Sequence, residues 1–384
     1  MVAMTTSPSA SQPVLTVSGP GDLVSLVPYL LGFHPRRSLV VLSLRGPRLR
    51  CGLAARFDLP DGTTAAEEFA TEVVPCVLRD EPSQVALLVY DDTPWQPRLR
   101  PGQVLVDAVE QRFAEDGVPV KEAVYVGRER FWSMTCRSAR CCPEAGTPVS
   151  DVRSTQAAAT LVLQGRAPLA DRDDLVSRVA PRGPLTTAAV ASVAERELAR
   201  RAALEDGGVE GVRAWVSEVT GLFDAAVSRS RGDASLRLDA DEAGLLVAGM
   251  LDIGLRDALC ERCSAWLEGL PEGRGGSHPP RRPEHHEDDP VTRVLRELAV
   301  MSDGQLAVAP LTLLAAQYWG AGEGALANAA VERALSLDPD YRLAVLLAQL
   351  LRAAIPPAWV QTTRRFGAGE RPSEEASASR MLRD

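Results

Sequence analysis

The chain has 384 residues, of which 45% are hydrophobic, 24% are charged and only 5% are aromatic, and its formal net charge is −9. A chain of this size can bury enough apolar surface to fold without disulfides or a structural metal. Its composition excludes a wholly disordered chain, a collagen and a small disulfide scaffold. Acidic residues outnumber basic ones both before and after residue 150. Neither half is therefore a basic module that would attract a phosphate backbone, and we expect no nucleic-acid partner.

Arginine supplies almost all of the positive charge, because Lys121 is the only lysine among 42 basic residues. Arginine codons are rich in G and C, so a GC-rich genome is the simplest cause of this bias. The bias still limits the chemistry, since a P-loop or a Schiff base would have to use Lys121. No glycine-rich loop precedes that residue, which excludes a Walker-type nucleotidase.

The sequence gives no sign of export or of membrane insertion. No lysine or arginine precedes Arg36, so the basic segment of a secretory signal is missing. The longest uncharged stretch after Arg36, residues 304–322, contains Pro310 and two glutamines, which makes a poor membrane span. We therefore expect a cytoplasmic protein without membrane contact, in which the seven cysteines are thiols or metal ligands and form no disulfides.

The first 150 residues mix strand and helix patterns. Residues 1–20 are rich in Ser, Thr and Pro, and we expect them to be flexible. Short apolar runs bounded by turn residues predict buried strands, and the alternation in residues 49–59 predicts a strand with one buried face. The predicted order is helix 21–32, strands 38–44 and 49–59, helix 65–79, strand 85–90, helix 103–116, and strands 124–126 and 131–135. This order predicts an α/β or α+β domain with a mixed β-sheet over residues 21–150.

Beyond residue 150 the pattern is helical throughout. A helical domain over residues 151–269 is predicted from helices 155–164, 187–205, 209–229 and 240–268. Residues 270–290 form a low-complexity linker. A second helical segment, residues 291–357, is predicted from helices 291–302, 310–320, 323–337 and 340–354. We expect the polar tail, residues 358–384, to be disordered.

The last helices match the tetratricopeptide pattern when Pro339 is taken as its closing proline. Small residues recur where two antiparallel helices would approach closely, and Leu314 and Tyr318 would fill the space between them. The all-α part is therefore predicted to end in a tetratricopeptide-like helical hairpin. A single unit cannot bury its own face, so we expect it to pack on the earlier helices. Such hairpins can form peptide-binding grooves, which makes Leu314 and Tyr318 candidate contacts for a protein partner.

A cluster of cysteines is the sharpest local motif. Cys136, Cys141 and Cys142 lie within seven residues, in a predicted loop directly after a strand. Three thiols could bind zinc with a fourth ligand such as Cys51 or His34, although adjacent cysteines rarely both reach one tetrahedral ion. Flanking arginines at positions 137 and 140 could instead lower a thiol pKa and favour redox or nucleophilic chemistry. The third interpretation is that these are structural thiols, and all three stay open.

Weaker candidates are a histidine and a pair of carboxylates. His34 is the only histidine outside the low-complexity linker, although Gly32-Phe33-His34-Pro35 is more typical of a helix exit and turn than of a base. Asp91 and Asp92 end a predicted buried strand, where open α/β sheets place ligands. They could hold Mg²⁺ or act as a base, or they could form a turn and cap.

Four sets of short motifs match a known family. They are Leu30-Leu31-Gly32-Phe33-His34-Pro35 with Ser38-Leu39-Val40-Val41, Val85–Asp92, Phe131-Trp132-Ser133 with Cys136 and Cys141-Cys142-Pro143, and Asp338-Pro339-Asp340-Tyr341. Together these motifs resemble the actinobacterial family of domain of unknown function 4192, over residues 16–358. A GC-rich actinobacterial source would also explain the arginine bias. The resemblance implies no activity.

These observations favour a non-enzymatic protein-binding or adaptor protein that contacts its partner through the helical C-terminal half. No complete catalytic constellation is present in the sequence: there is no Gly-x-Ser-x-Gly elbow and no His-Glu-x-x-His. The alternative is a thiol-dependent or zinc-dependent activity centred on Cys136, Cys141 and Cys142.

Overall fold

The fold is taken from a computed structural model of the chain. The structure describes residues 2–3, 19–61, 65–136, 138, 142–152, 155–163, 167–233, 235–261 and 289–357. The strands are β1 (Val2–Ala3), β2 (Ser38–Arg45), β3 (Arg50–Asp58), β4 (Gln84–Tyr90), β5 (Val120–Val126), β6 (Arg130–Ser133) and β7 (Thr147–Pro148). The flexible start, the low-complexity linker and the disordered tail that the sequence predicts lie largely or wholly outside the described residues.

The helices fall into a first group around the sheet and a second group that follows it. The first group is α1 (Pro20–Leu31), α2 (Ala66–Leu78), α3 (Gln103–Glu115), α4 (Val149–Val152) and α5 (Gln156–Leu163). The second group is α6 (Arg172–Ser177), α7 (Pro184–Asp206), α8 (Val209–Gly232), α9 (Ala240–Met250), α10 (Ile253–Cys260), α11 (Pro290–Met301), α12 (Gln305–Gly320), α13 (Gly324–Leu337) and α14 (Arg342–Arg352). Among the described residues, no helix is both long enough and apolar enough to cross a membrane.

The strands form one mixed sheet in the order β1-β3-β2-β4-β5-β6-β7. Strands β4 and β5 run parallel, and every other neighbouring pair is antiparallel. Helix α3 makes the crossover between the two parallel strands, as a parallel pair requires. The predicted mixed sheet followed by a helical region is confirmed.

Both faces of the sheet are buried, which explains its nearly continuous apolar strands. Along β2, Leu39 and Val41 belong to the core under α2 and α3, whereas Val40 and Leu42 belong to the core on the opposite face. The alternation in β3 predicted one buried face and one polar face. In the structure Arg56, on the supposedly polar face, is only 4% exposed, because the helical region covers that face as well.

One buried carboxylate ties the β2–β3 hairpin to the end of α2. Asp80 accepts hydrogen bonds from Ser43 Oγ at 2.6 Å and from the Leu53 N–H at 2.9 Å, and it lies 3.4 Å from Arg45 Nε. A Cβ atom at Gly52 would lie 2.2 Å from the Asp80 carboxylate, so a side chain there would displace that carboxylate. The carboxylate therefore fixes the hairpin against the helix.

The core on the second face of the sheet continues without a break into the helical region. It runs from Val40 and Leu88 on the strands, through Trp215 on α8, to Leu314 on α12. Helices α12 and α13 pack closely against each other within this core. The sheet and the helices thus share one apolar core, and the domain boundary near residue 150 stays a prediction from composition.

Two predicted helices differ from the observed ones. The helix predicted over residues 240–268 is interrupted after Met250. Leu251 is 40% exposed, and Asp252 caps a new helix by accepting a hydrogen bond from the Leu255 N–H at 3.0 Å. The remainder of that prediction, from residue 262 on, lies outside the described residues. Helix α12 begins at Gln305, five residues before its predicted start at Pro310, and its described side chains from Ala307 to Gly320 are buried.

Candidate functional site

A pocket lies at the carboxyl ends of the parallel strands β4 and β5, the edge where open α/β sheets usually bind ligands. Its volume is about 620 Å³, within the range of small-molecule sites. The chain segments that line it are the start of α1, the loop after β4, strand β6 and the loop after β6. The lining residues are Pro20, Gly21, Trp95, Pro97, Arg100, Phe131, Trp132, Ser133, Cys136, Cys142, Pro143, Glu144, Thr147 and Val152. We call this site the aromatic pocket.

Three aromatic rings form the centre of the aromatic pocket. Trp95 and Trp132 stack with ring centroids 5.2 Å apart and planes 12° apart, and both side chains are half-buried. Tyr125 lies behind them, 5.3 Å from Trp95 and 6.1 Å from Trp132. The stack arises because β6 pairs with β5, which puts Trp132 opposite Tyr125, while the loop after β4 brings Trp95 across.

The Tyr125 hydroxyl anchors the loop that carries Trp95. It donates to the Thr93 carbonyl oxygen at 2.5 Å. Burial raises the pKa of Tyr125 well above its ordinary value, and the nearby carboxylates of Asp91 and Asp92 raise it further. The phenol therefore stays protonated and remains a hydrogen-bond donor throughout the physiological range.

The turn after β6 holds the Trp132 indole in place. Its Nε1–H donates to the Glu144 carbonyl oxygen at 3.1 Å. Gly146 lies against the ring with φ of +75°, and a Cβ atom there would be 2.4 Å from Trp132 Cε2. Arg130 Nη1 donates to the Gly146 carbonyl oxygen at 2.7 Å and fixes the turn. A left-handed glycine is required at this position for two reasons, its backbone conformation and its contact with the indole.

Two charged side chains are found among the described residues that line the aromatic pocket. Arg100 is half-buried and donates from Nη2 to the Met134 carbonyl oxygen. Glu144 is exposed at the margin. A mostly apolar wall with a fixed guanidinium gives both contact area and orientation to a bound group.

The structure brings two of the three predicted cysteines to the aromatic pocket. Cys136 and Cys142 are half-buried and line it, and Cys141 lies outside the described residues. The Cys136 N–H donates to Ser133 Oγ at 3.0 Å, and the Cys142 N–H donates to the Ser138 carbonyl oxygen at 2.8 Å. Among the described residues, no three His, Cys, Asp or Glu side chains are grouped so that they could hold a metal ion.

The other predicted ligands do not line the aromatic pocket. His34 is exposed. Its backbone N–H donates to the Leu169 carbonyl oxygen at 3.0 Å, which fits a helix exit and turn. Cys51 lies on β3, separated from β5 by two strands. The fourth zinc ligand suggested from chain order is therefore not among the lining residues.

Asp91 and Asp92 lie at the end of β4, beside the aromatic pocket but not among its lining residues. Asp91 Oδ1 accepts from the Asp92 N–H at 2.9 Å, and Asp92 Oδ2 lies 3.2 Å from Arg128 Nη2 on the surface. This geometry is that of a turn with a surface ion pair. It corresponds to the interpretation of these carboxylates as a turn and cap.

The predicted partner contacts Leu314 and Tyr318 lie in the core. Their side chains are 0% and 1% exposed, so a partner cannot touch them from outside. They are buried because α12 lies among α9, α11, α13 and α14, which leaves none of its faces open. The expectation that these two residues contact a partner directly is corrected by this burial.

Sequence reasoning missed Trp95, Trp132 and Arg100. A usable signal was present, since aromatic residues make up only 5% of this chain, Trp95 follows the predicted strand 85–90 and Trp132 lies in the predicted strand 131–135. Their stacking depends on strand pairing, which the sequence pattern left open.

One family model matches the chain, that of the domain of unknown function DUF4192, over residues 20–358. The chain belongs to this family. No curated protein and no solved structure matches it. The family match covers strands β2 to β7, the aromatic pocket and the described helices, and its description carries no activity.

Proposed function

We propose that this member of the family is a non-enzymatic protein-binding protein, and that the aromatic pocket receives an extended segment of its partner carrying proline or other apolar side chains. The observation that carries the proposal is the stacked and half-exposed pair Trp95 and Trp132 in a pocket of about 620 Å³. Tryptophan is the residue most enriched among the contacts that dominate protein–protein binding energy.

The composition of the pocket wall supports a peptide ligand. Aromatic-lined grooves bind proline-rich segments, whose extended conformation is largely preformed. The wall of the aromatic pocket is itself rigid, because prolines at positions 20, 97 and 143 line it and the turn at Gly146 fixes Trp132. A preformed wall lowers the conformational entropy lost on binding.

The experiment is a selection of peptides from a random display library on the full chain, followed by titration of the selected peptides. We expect Trp95→Ala to weaken binding by about tenfold or more, because truncating a central tryptophan typically costs about 2 kcal/mol. Leu185→Ala is the matched control, since Leu185 is 88% exposed and does not line the pocket. Equal affinities of the two variants for every selected peptide would refute the proposal, provided that both unfold at the wild-type temperature.

A second candidate function is favoured by the two thiols in the same pocket. Cys136 and Cys142 support a thiol-dependent or zinc-dependent activity, for which Cys141 would supply a third ligand. The test is metal content of protein purified under reducing conditions without a histidine tag. About one equivalent of zinc that is lost in Cys142→Ser but kept in Cys76→Ser would support the zinc site. Absence of zinc from the purified protein, together with thiols that do not react in either cysteine variant, would eliminate this candidate.

Three further expectations, on the source, the location and the last helices, accompany the proposal. We infer an actinobacterial source from the arginine bias, a cytoplasmic location from the sequence, and a tetratricopeptide-like hairpin in α12 and α13 from the pattern that ends at Pro339. A partner could also contact the helical half, through surface residues of α13 or α14 and not through Leu314 or Tyr318.

A further inference from the structure

A second pocket, of about 500 Å³, lies in the helical region between the end of α6, the loop that joins α8 to α9, and α11. Five of its lining residues are arginines and one is a glutamate. The lining residues are Ser177, Arg178, Ala180, Pro181, Arg182, Ser235, Leu236, Arg237, Arg293, Arg296, Glu297 and Val300. We call this site the arginine basin. Such a concentration of positive charge is unusual in a chain whose formal net charge is −9.

The single carboxylate of the arginine basin is shared by two of the arginines. Glu297 is 6% exposed, and it accepts two hydrogen bonds from Arg182, at 2.9 and 2.6 Å. Arg237 Nη1 lies 3.5 Å from the same carboxylate. Among the described lining residues, one negatively charged side chain thus lies with five positively charged ones, an arrangement that favours an anionic ligand.

Two further arginines of the lining act on the buried hydroxyl of Tyr318. Tyr318 is buried, and Arg296 makes a side-chain hydrogen bond with it while the charge of Arg178 also acts on it. Burial is the main cause of the raised pKa of Tyr318. The charges of Arg178 and Arg296 oppose this rise, and the charge of Glu323 adds to it. Because the phenol stays protonated, it orients the guanidinium of Arg296 without cancelling its charge.

The remaining arginine is fixed by backbone oxygens. Arg293 Nη1 donates to the carbonyl oxygen of Ser230, and its distance to the carbonyl oxygen of Asp233 is 3.3 Å. These contacts tie α11 to the end of α8 and hold the guanidinium at the wall of the basin. The basin therefore has charged donors that are already in position before any ligand arrives.

We propose that the arginine basin binds a small phosphate-bearing molecule with at least two negative charges, such as one with a pyrophosphate group. Guanidinium groups present planar pairs of donors that match phosphate oxygens, and an arginine cluster is the usual way in which proteins recognise such anions. The volume is within the range of small-molecule sites. This inference is independent of the aromatic pocket and of its proposed peptide ligand.

The experiment is calorimetric titration of the full chain with inorganic pyrophosphate, at low and at physiological ionic strength. We expect saturable binding that weakens with salt, and a loss of about tenfold or more in affinity in Arg237→Gln and in Arg178→Gln, since each removes a charged donor. Arg237 is an informative position because its side chain is 73% exposed, so its replacement leaves the core intact.

The control is Arg213→Gln, which removes an exposed arginine of α8 that does not line the basin. Unchanged affinity in this control supports a localised site. Equal weakening by Arg213→Gln and Arg237→Gln would overturn the proposal, because the attraction would then be a general effect of surface charge. Failure of pyrophosphate to bind would overturn it as well. Tighter binding of citrate than of pyrophosphate would overturn the choice of phosphate.

Discussion

Replacing Gly146 by alanine tests how the aromatic pocket is built. Gly146 has φ of +75°, a conformation that costs a residue with a side chain about 1–2 kcal/mol. The new Cβ atom would also lie 2.4, 2.6 and 2.8 Å from three atoms of the Trp132 indole, well inside normal contact. Since the indole is rigid, the whole ring has to move.

The size of the effect follows from what the displaced ring loses. Moving Trp132 stretches its hydrogen bond to the Glu144 carbonyl oxygen, now 3.1 Å, which is worth about 1 kcal/mol. It also disturbs the stack with Trp95, worth about 0.5–1.5 kcal/mol. With the backbone conformation included, we expect Gly146→Ala to lower the free energy of unfolding by about 2.5–4.5 kcal/mol.

The assay is urea unfolding followed by far-UV circular dichroism, with the tryptophan emission spectrum of the folded protein recorded separately. Gly117→Ala is the matched control, because Gly117 has φ of +71° and no atom within 4 Å of its Cβ position. This control should lose only the backbone contribution of about 1–2 kcal/mol and keep the wild-type emission. If Gly146→Ala costs no more than Gly117→Ala and leaves the emission unchanged, the described packing of Trp132 is refuted.

Three further predictions concern the core and a helix cap. Asp80→Ala should lower the free energy of unfolding by about 3–5 kcal/mol in urea unfolding, because it removes the acceptor of a buried network, and a cost below about 1 kcal/mol would contradict that network. Leu314→Ala should cost about 2–5 kcal/mol as a core cavity, whereas an undiminished stability would mean that this side chain is not buried. The pKa of Asp252 lies below its ordinary value, chiefly because the Leu255 N–H donates to it, so its stabilising effect is present at neutral pH and is lost as the pH falls through that lowered pKa. Asp252→Ala should therefore cost about 1 kcal/mol near pH 7 and progressively less below about pH 4, and a cost independent of pH between 7 and 3 would contradict the assignment.

The sequence predicted the sheet well because its strands carry their own pattern. Residues 38–44 and 85–90 are apolar runs bounded by turn residues, and they correspond to β2 and β4. The break at Leu251 was missed because the spacing of apolar residues continues across it. The local signal that begins α10, the capping side chain of Asp252, was outweighed by that spacing.

The two pockets were less predictable, because each assembles residues from separate segments. Trp95 and Trp132 meet through the pairing of β5 with β6, and the arginine basin joins residues more than 100 positions apart. The arginine bias also concealed the basin, since a genome-wide preference gives no reason to single out any one arginine. Leu314 and Tyr318 were correctly seen as filling the space between helices, but burial removes them from any surface contact.

The most direct test of a ligand site in the aromatic pocket is the indole N–H region of a ¹⁵N spectrum, recorded while a selected peptide is added. The chain has six tryptophans, and single Trp→Phe variants assign their signals. The account predicts that the signals of Trp95 and Trp132 shift with the peptide, while those of the buried Trp215 and Trp319 stay in place. Saturable binding with no shift at Trp95 or Trp132 would place the ligand elsewhere and contradict the account.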